Sequence, residues 1–251
     1  MLNYIPTPNA KQAFNQIIND YQTGIRSFNI VGAYGIGKSA FLWAFEKNIN
    51  QSHLYFSKLN NSFNKLKGFD FLRMIGDYTS LRHIFSQHVG LTKKDYTSED
   101  VLNLLDKRYK SLAKSGKGLV IVIDEFGKFL EYAAKNNPES ELYFIQQVAE
   151  YVNDEHKNIL FITSLHQDFN GYSRNLSVSQ QKEWDKVKGR LKEITFNEPV
   201  EQLLFLASER LSELAISSKD KNFQKLFKSI ESAKAFPLKD YLFCLVYDLT
   251  V

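Results

Sequence analysis

Residues Gly32-Ala33-Tyr34-Gly35-Ile36-Gly37-Lys38-Ser39 satisfy the pattern GxxxxGK[ST] at every fixed position. The chemistry behind that spacing is the holding of a triphosphate. Glycines let successive backbone N–H groups turn inward around the β-phosphate, and a helix opening through Ser39 and Ala40 directs its positive end at the same anion. Lys38 has the reach for the β- and γ-phosphates, and the Ser39 hydroxyl is a ligand for Mg²⁺. A second group follows Leu119–Ile123, an apolar and mostly β-branched run that ends in Asp124-Glu125. An acid at the C-terminal end of such a strand stands where open α/β sheets bind their ligands. Asp124 is the candidate for the Mg²⁺ shell and Glu125 for polarising an attacking water, although an Asp-Glu pair can also merely begin a helix. Together the two groups predict ATP as ligand, Mg²⁺ as its metal and ATP hydrolysis as the reaction; Glu125 argues against phosphoryl transfer to a metabolite.

Four further residues are candidates for the same chemistry. The run Ile162-Thr163-Ser164 ends another apolar segment, so either hydroxyl can orient water or sense the γ-phosphate, or else make a local turn bond. Arg190 lies just before the last expected strand, where it can project onto a neighbouring subunit's γ-phosphate. Alternatively it belongs to a solvated basic cluster with Lys182, Lys186, Lys188 and Lys192. His166 follows the Thr163-Ser164 segment and is the histidine nearest the chemistry, whereas His83 and His88 read as packing or surface residues.

These residues need a scaffold, and the chain supplies alternating signals. Helices are expected over about 10–21 with Asn9 as cap, 39–48, 79–89, 98–115 with Ser98 as cap, 125–135 and 139–153. Strands are expected at 27–31, 69–75, 119–123, 159–163 and 193–196, with 53–68 irregular or helical and 171–181 a polar loop. Alternation of this kind predicts an α/β layer around a parallel sheet. From Pro199 onward only helices are expected, over 200–216, 221–233 and 238–247, which divides the chain into a core at 1–198 and a helical lid at 199–251.

Composition narrows the setting. Of 251 residues, 43% are hydrophobic and 24% charged, as in an ordinary globular protein. The net charge of +4 permits nucleic acid as a partner without arguing for it. Cys244 is the single cysteine, so neither an internal disulfide nor a zinc site is expected. The N-terminus lacks the apolar segment of a secretory signal, and no run reaches the roughly 18 apolar residues of a membrane span. A cytoplasmic location without membrane contact is the expectation.

With the motifs in place, the chain resembles the AAA+ group of ATPases, in the Gly32–Ser39 and Val120–Glu125 elements, Thr163-Ser164, Arg190 and the helical tail. The runs YIPTP, VGAYGIGKSAF, IDEFGKFLEYAA, ELYFIQQVAE and FITSLHQDF further resemble the N-terminal ATPase module of large prokaryotic ATPases, some associated with anti-phage defence. The resemblance implies a P-loop three-layer αβα sandwich with sheet order 5-1-4-3-2. It also implies that Tyr4, Ile5 and Pro6 lie against the adenine, and that the working form is a homo-oligomer or larger assembly that switches or drives a partner. An ATP-dependent DNA-binding regulator of the origin-recognition or transposition type is the alternative. Two departures from the pattern stand out: no lid arginine can be placed, and the helical region looks unfinished at Tyr241–Val251, as in a fragment of a longer protein.

Overall fold

A computed structural model describes residues 4–57, 59, 63, 65–173, 176–199, 202, 203, 221, 222, 224, 225, 228 and 229. Its strands are β1 (Ser27–Val31), β2 (Phe69–Ile75), β3 (Gly118–Asp124), β4 (Ile159–Leu165) and β5 (Lys192–Thr195). They form one sheet in the order β2-β3-β4-β1-β5, every neighbouring pair parallel. Counted from the β5 edge this is the expected order 5-1-4-3-2.

The apolar runs explain why β3 and β4 sit in the middle. A strand covered on both faces needs no polar alternation, and β4 is buried along its whole length. Alternate residues of β3 divide between two cores. Val120 and Val122 face helices α1 (Pro8–Gln22) and α2 (Lys38–Ile49), among Phe14, Phe41 and Phe45. Leu119, Ile121 and Ile123 face the opposite layer. That layer contains α3 (Leu81–His88), α4 (Ser98–Lys114), α5 (Gly127–Asn136), α6 (Pro138–Val152) and α7 (Val178–Arg190). Each fully buried Phe is worth about 2–3 kcal/mol of transfer energy, so this chain's many core phenylalanines do much of the holding.

Several boundaries differ from expectation, each for a local reason. The Thr7 hydroxyl accepts from Ala10 N at 3.0 Å, and Pro8 takes the first helical position, so Thr7 rather than Asn9 caps α1. Asn9 instead donates to the Asn197 carbonyl at 2.8 Å. Thr97, one residue before Ser98, caps α4 through a reciprocal box with Asp100. The expected loop at 171–181 is instead a 3-10 turn, Phe169–Tyr172, and the start of α7. Ser177 and Gln180 close a capping box there, and the buried Trp184 donates to the Phe169 carbonyl at 3.1 Å.

The chain divides into two compact units, Met1–Asn197 and Glu198–Val251. In the second unit, described residues 202, 203, 221, 222, 224, 225, 228 and 229 have helical backbone. The remainder of the helices expected over 200–216 and 221–233, and all of 238–247, lie outside the described residues. No helix among the described residues is long and apolar enough to cross a membrane.

Candidate active site

The C-terminal ends of β1, β3 and β4 meet at one cleft of about 350 Å³. Tyr34, Gly35 and Gly37–Ala40 line one side; Asp124, Glu125 and Ser164–His166 line the other. The turn after β1 closes because Gly37 sits at φ +93°, a conformation costly for any residue with a Cβ, and caps α2 without a side chain. The opening of α2 therefore lies on the cleft, and the first amides of a helix, unpaired within it, make a ready anion cradle. Lys38 lies back along the loop, its ammonium donating to the Gly32 and Ala33 carbonyls at 2.6 Å each. Burial draws its pKa down, against the opposing pull of Asp124 and Glu125. Ile36 packs partly into the core beneath the loop.

Asp124 is the hub of the opposite side. Its carboxylate accepts from the Ser39 hydroxyl at 2.5 Å, from the Ser164 hydroxyl, and from the Glu125 amide at 3.1 Å. Ser39 Oγ and the Asp124 carboxylate are hard oxygen donors in contact. Such a pair fits Mg²⁺, which takes few protein oxygens and keeps phosphate and water as its other ligands. An ion held there would supply neutralisation of phosphate charge. Glu125 has φ +54°, which separates it from α5 and turns its side chain into the cleft, so the helix expected from 125 begins instead at Gly127. Its amide also donates to Ser164 Oγ at 3.0 Å, and its carboxylate pairs with Lys128 at 2.7 Å. Gly76, just after β2, makes room for this bend: a Cβ there would lie 1.9 Å from the Glu125 carbonyl oxygen.

The remaining candidates separate. Ser164 joins the cleft; Thr163 does not, being fully buried and donating to Asn29 Oδ1 at 2.9 Å across β1 and β4. Arg190 ends α7 beside the start of β5, at the edge of the sheet opposite the P-loop. The five-residue strand β1 alone spans about 16 Å between those edges. Its guanidinium pairs with Glu150 at 2.5 Å and donates to the Lys186 carbonyl at 2.8 Å, so Arg190 is not part of its own chain's cleft. The neighbouring lysines are dispersed rather than aligned, Lys186 on Glu183, Lys188 on Asn170 and Lys192 on Asp20. Ile5 and Pro6 are half-buried and do not line the cleft, and Tyr4 packs edge-on against Tyr55 at 5.5 Å.

Two contacts at the site have no counterpart in the motif. Tyr34 stacks on His166 with ring centroids 4.4 Å apart and planes 20° from parallel. His166 is held in turn by the Tyr172 hydroxyl at 3.0 Å from Nδ1, and burial pushes the Tyr172 phenol pKa up, keeping it neutral.

Residues 9–233 match the KAP family P-loop domain, a span that includes every element of the cleft. The chain belongs to the KAP family of P-loop NTPases. The fold of this KAP domain recurs in solved structures of other proteins. It matches the Aeropyrum pernix ORC2 protein in its ADPNP-ADP complexes with a TM-score of 0.57 at 16% identity, over 92% of this chain and 59% of that one. For Drosophila ORC bound to DNA the TM-score is 0.52 at 16% identity, over 94% and 58% of the two chains. For C. elegans PCH-2 it is 0.50 at 12% identity, over 97% and 63%. The chain thus spans less than two thirds of the length of these relatives, and at such identities the likeness is one of fold. No curated protein sequence gives a significant match.

Proposed function

We propose that this KAP domain binds Mg²⁺–ATP in the cleft, hydrolyses it, and uses the cycle to switch or drive a partner within an oligomer or larger assembly, anti-phage defence being one setting for such work. The observation that carries the reading is the convergence on Asp124 of the Ser39 and Ser164 hydroxyls and the Glu125 amide, facing the P-loop across one cleft. In this reading Lys38 exchanges its loop carbonyls for phosphate oxygens. Ser39 and Asp124 hold the metal, Ser164 fixes Asp124, and Glu125 leaves Lys128 to take a proton from the attacking water.

The experiment is steady-state ATPase activity with parallel nucleotide-binding measurements. Glu125→Gln is expected to retain ATP affinity while turnover falls by about 10²–10⁴, the usual contribution of a general base. Lys38→Ala is expected to lose affinity itself. Wild-type turnover no faster than that of Lys38→Ala would leave a nucleotide-binding scaffold rather than an enzyme. Unimpaired Glu125→Gln turnover would remove Glu125 as the base.

A further inference from the structure

Strand β2 is an edge strand, paired with β3 on one side only. Gly68 accepts from Gly118 N, and Gly76 donates to the Asp124 carbonyl, so the even-numbered residues of this strand direct their amides and carbonyls at β3. The odd-numbered ones therefore direct theirs outward. At Phe69 both outward groups are taken by the Asn50 side chain, at 2.7 and 3.1 Å. Beyond it, the outward amides and carbonyls of Phe71, Arg73 and Ile75 have no partner among the described residues.

The side chains of those same residues border a groove of about 470 Å³ between β2 and α2, with Trp43 and Val122 at its walls. Ile75 is 72% exposed at the strand's end. Of the groove's charged residues, Arg73 is drawn back onto Glu46, which leaves the outer row of the strand uncovered, Asp124 stands at one end, and Lys47 has no carboxylate partner among the described residues. A charged residue such as Arg73 is a common guard on an edge, but a guard held to its own helix does not block one. The groove ends at Ser39 and Asp124.

We propose that β2 is a docking edge that accepts an extended segment of a partner protein as a sixth strand. The unpaired row takes a peptide backbone, which is what fixes the class of ligand. The groove takes its alternate side chains, which must be apolar to sit against Trp43, Phe71 and Ile75. Lys47, the groove's cation without a carboxylate partner among the described residues, favours acidic side chains in the segment. The bound strand abuts the nucleotide cleft, since the end of β2 bonds to Asp124 and touches Glu125 at Gly76.

The probe is a fluorescein-labelled decapeptide of alternating Ile and Glu, titrated with the full chain and read by anisotropy. Two further versions carry N-methyl groups on all Ile or on all Glu residues. Because amides alternate along a strand, one methylated version should bind nearly as the parent does. The other should bind at least about tenfold more weakly, the loss expected for one or more missing hydrogen bonds. Arg73→Pro, whose ring removes an outward amide while sparing the ladder to β3, should weaken binding by about the same factor, and Arg73→Ala should not. Absence of saturable binding, equal binding of the two methylated peptides, or a folded Arg73→Pro variant that binds normally overturns the proposal. If Arg73→Pro fails to fold by circular dichroism, the methylated pair decides. Self-association that Arg73→Pro abolishes and the peptide cannot displace also overturns it, because a second copy of the chain is then the occupant.

Discussion

At the scale of single residues, the two adjacent hydroxyls on β4 have separate tasks. Thr163 spans two strands inside the sheet, while Ser164 braces Asp124 in the cleft. Thr163→Val keeps the shape and removes one buried hydrogen bond, so it should cost about 1 kcal/mol or somewhat more in denaturant unfolding, with turnover per folded molecule unchanged. Ser164→Ala should do the reverse, leaving stability close to wild type while kcat falls by at least about tenfold, as Asp124 and the Glu125 amide lose a shared partner. A loss of activity in Thr163→Val matching that in Ser164→Ala would show that both hydroxyls serve the reaction. The choice between them was in principle legible. Asp124 follows Val120 and Val122, and Ser164 follows Leu160 and Ile162, so both occupy the face of the sheet covered by α2, which carries Ser39. Thr163 has the other parity. Strand periodicity, not the polar character of the pair, holds that information.

At the scale of elements, the parts with strong periodicity were readable: the continuous apolar runs of β3 and β4, and the strand–turn–helix around Gly32–Ser39. Helix α7 was not, because Trp184 and Val187 are its only buried residues and thirteen mostly polar positions carry little periodic signal. The Ser177 and Gln180 box was its one visible mark. Nor does any pattern announce that Gly76, after β2, gives clearance to the bend at Glu125 after β3, since the contact joins residues far apart in the chain. Gly76→Ala should therefore act on the site through the backbone. Overpacking of this kind costs about 1–3 kcal/mol, and here the neighbour that must shift is Glu125 itself. Thermal melting should register the destabilisation, and turnover should fall more than ATP affinity does. Equal losses in turnover and affinity would place the strain on the P-loop side instead.

At the scale of the whole molecule, the position of Arg190 bears on the proposal that the protein works within an assembly. It stands at the sheet edge away from its own cleft, tied to Glu150, so any role at a γ-phosphate is played on another copy of the chain. On the proposal that Arg190 acts in trans, specific ATPase activity should rise with protein concentration, in step with association seen by sedimentation. Arg190→Ala should lower the plateau by about 10³ or more, the range known for arginine fingers, without changing the rate of the dilute protein. A specific activity independent of concentration, and equal in the variant, would sink the idea of a shared site. Glu150 then has a part as well, since assembly has to draw the guanidinium away from it.

The stack of Tyr34 on His166 has a use outside the chemistry. Two rings 4.4 Å apart and nearly parallel place the imidazole protons within the shielding cone of the phenol. One ring rides on the phosphate loop and the other on the end of β4. Any ligand that lifts the loop must therefore move the His166 resonances downfield, giving the protein a label-free spectroscopic gauge of its own occupancy.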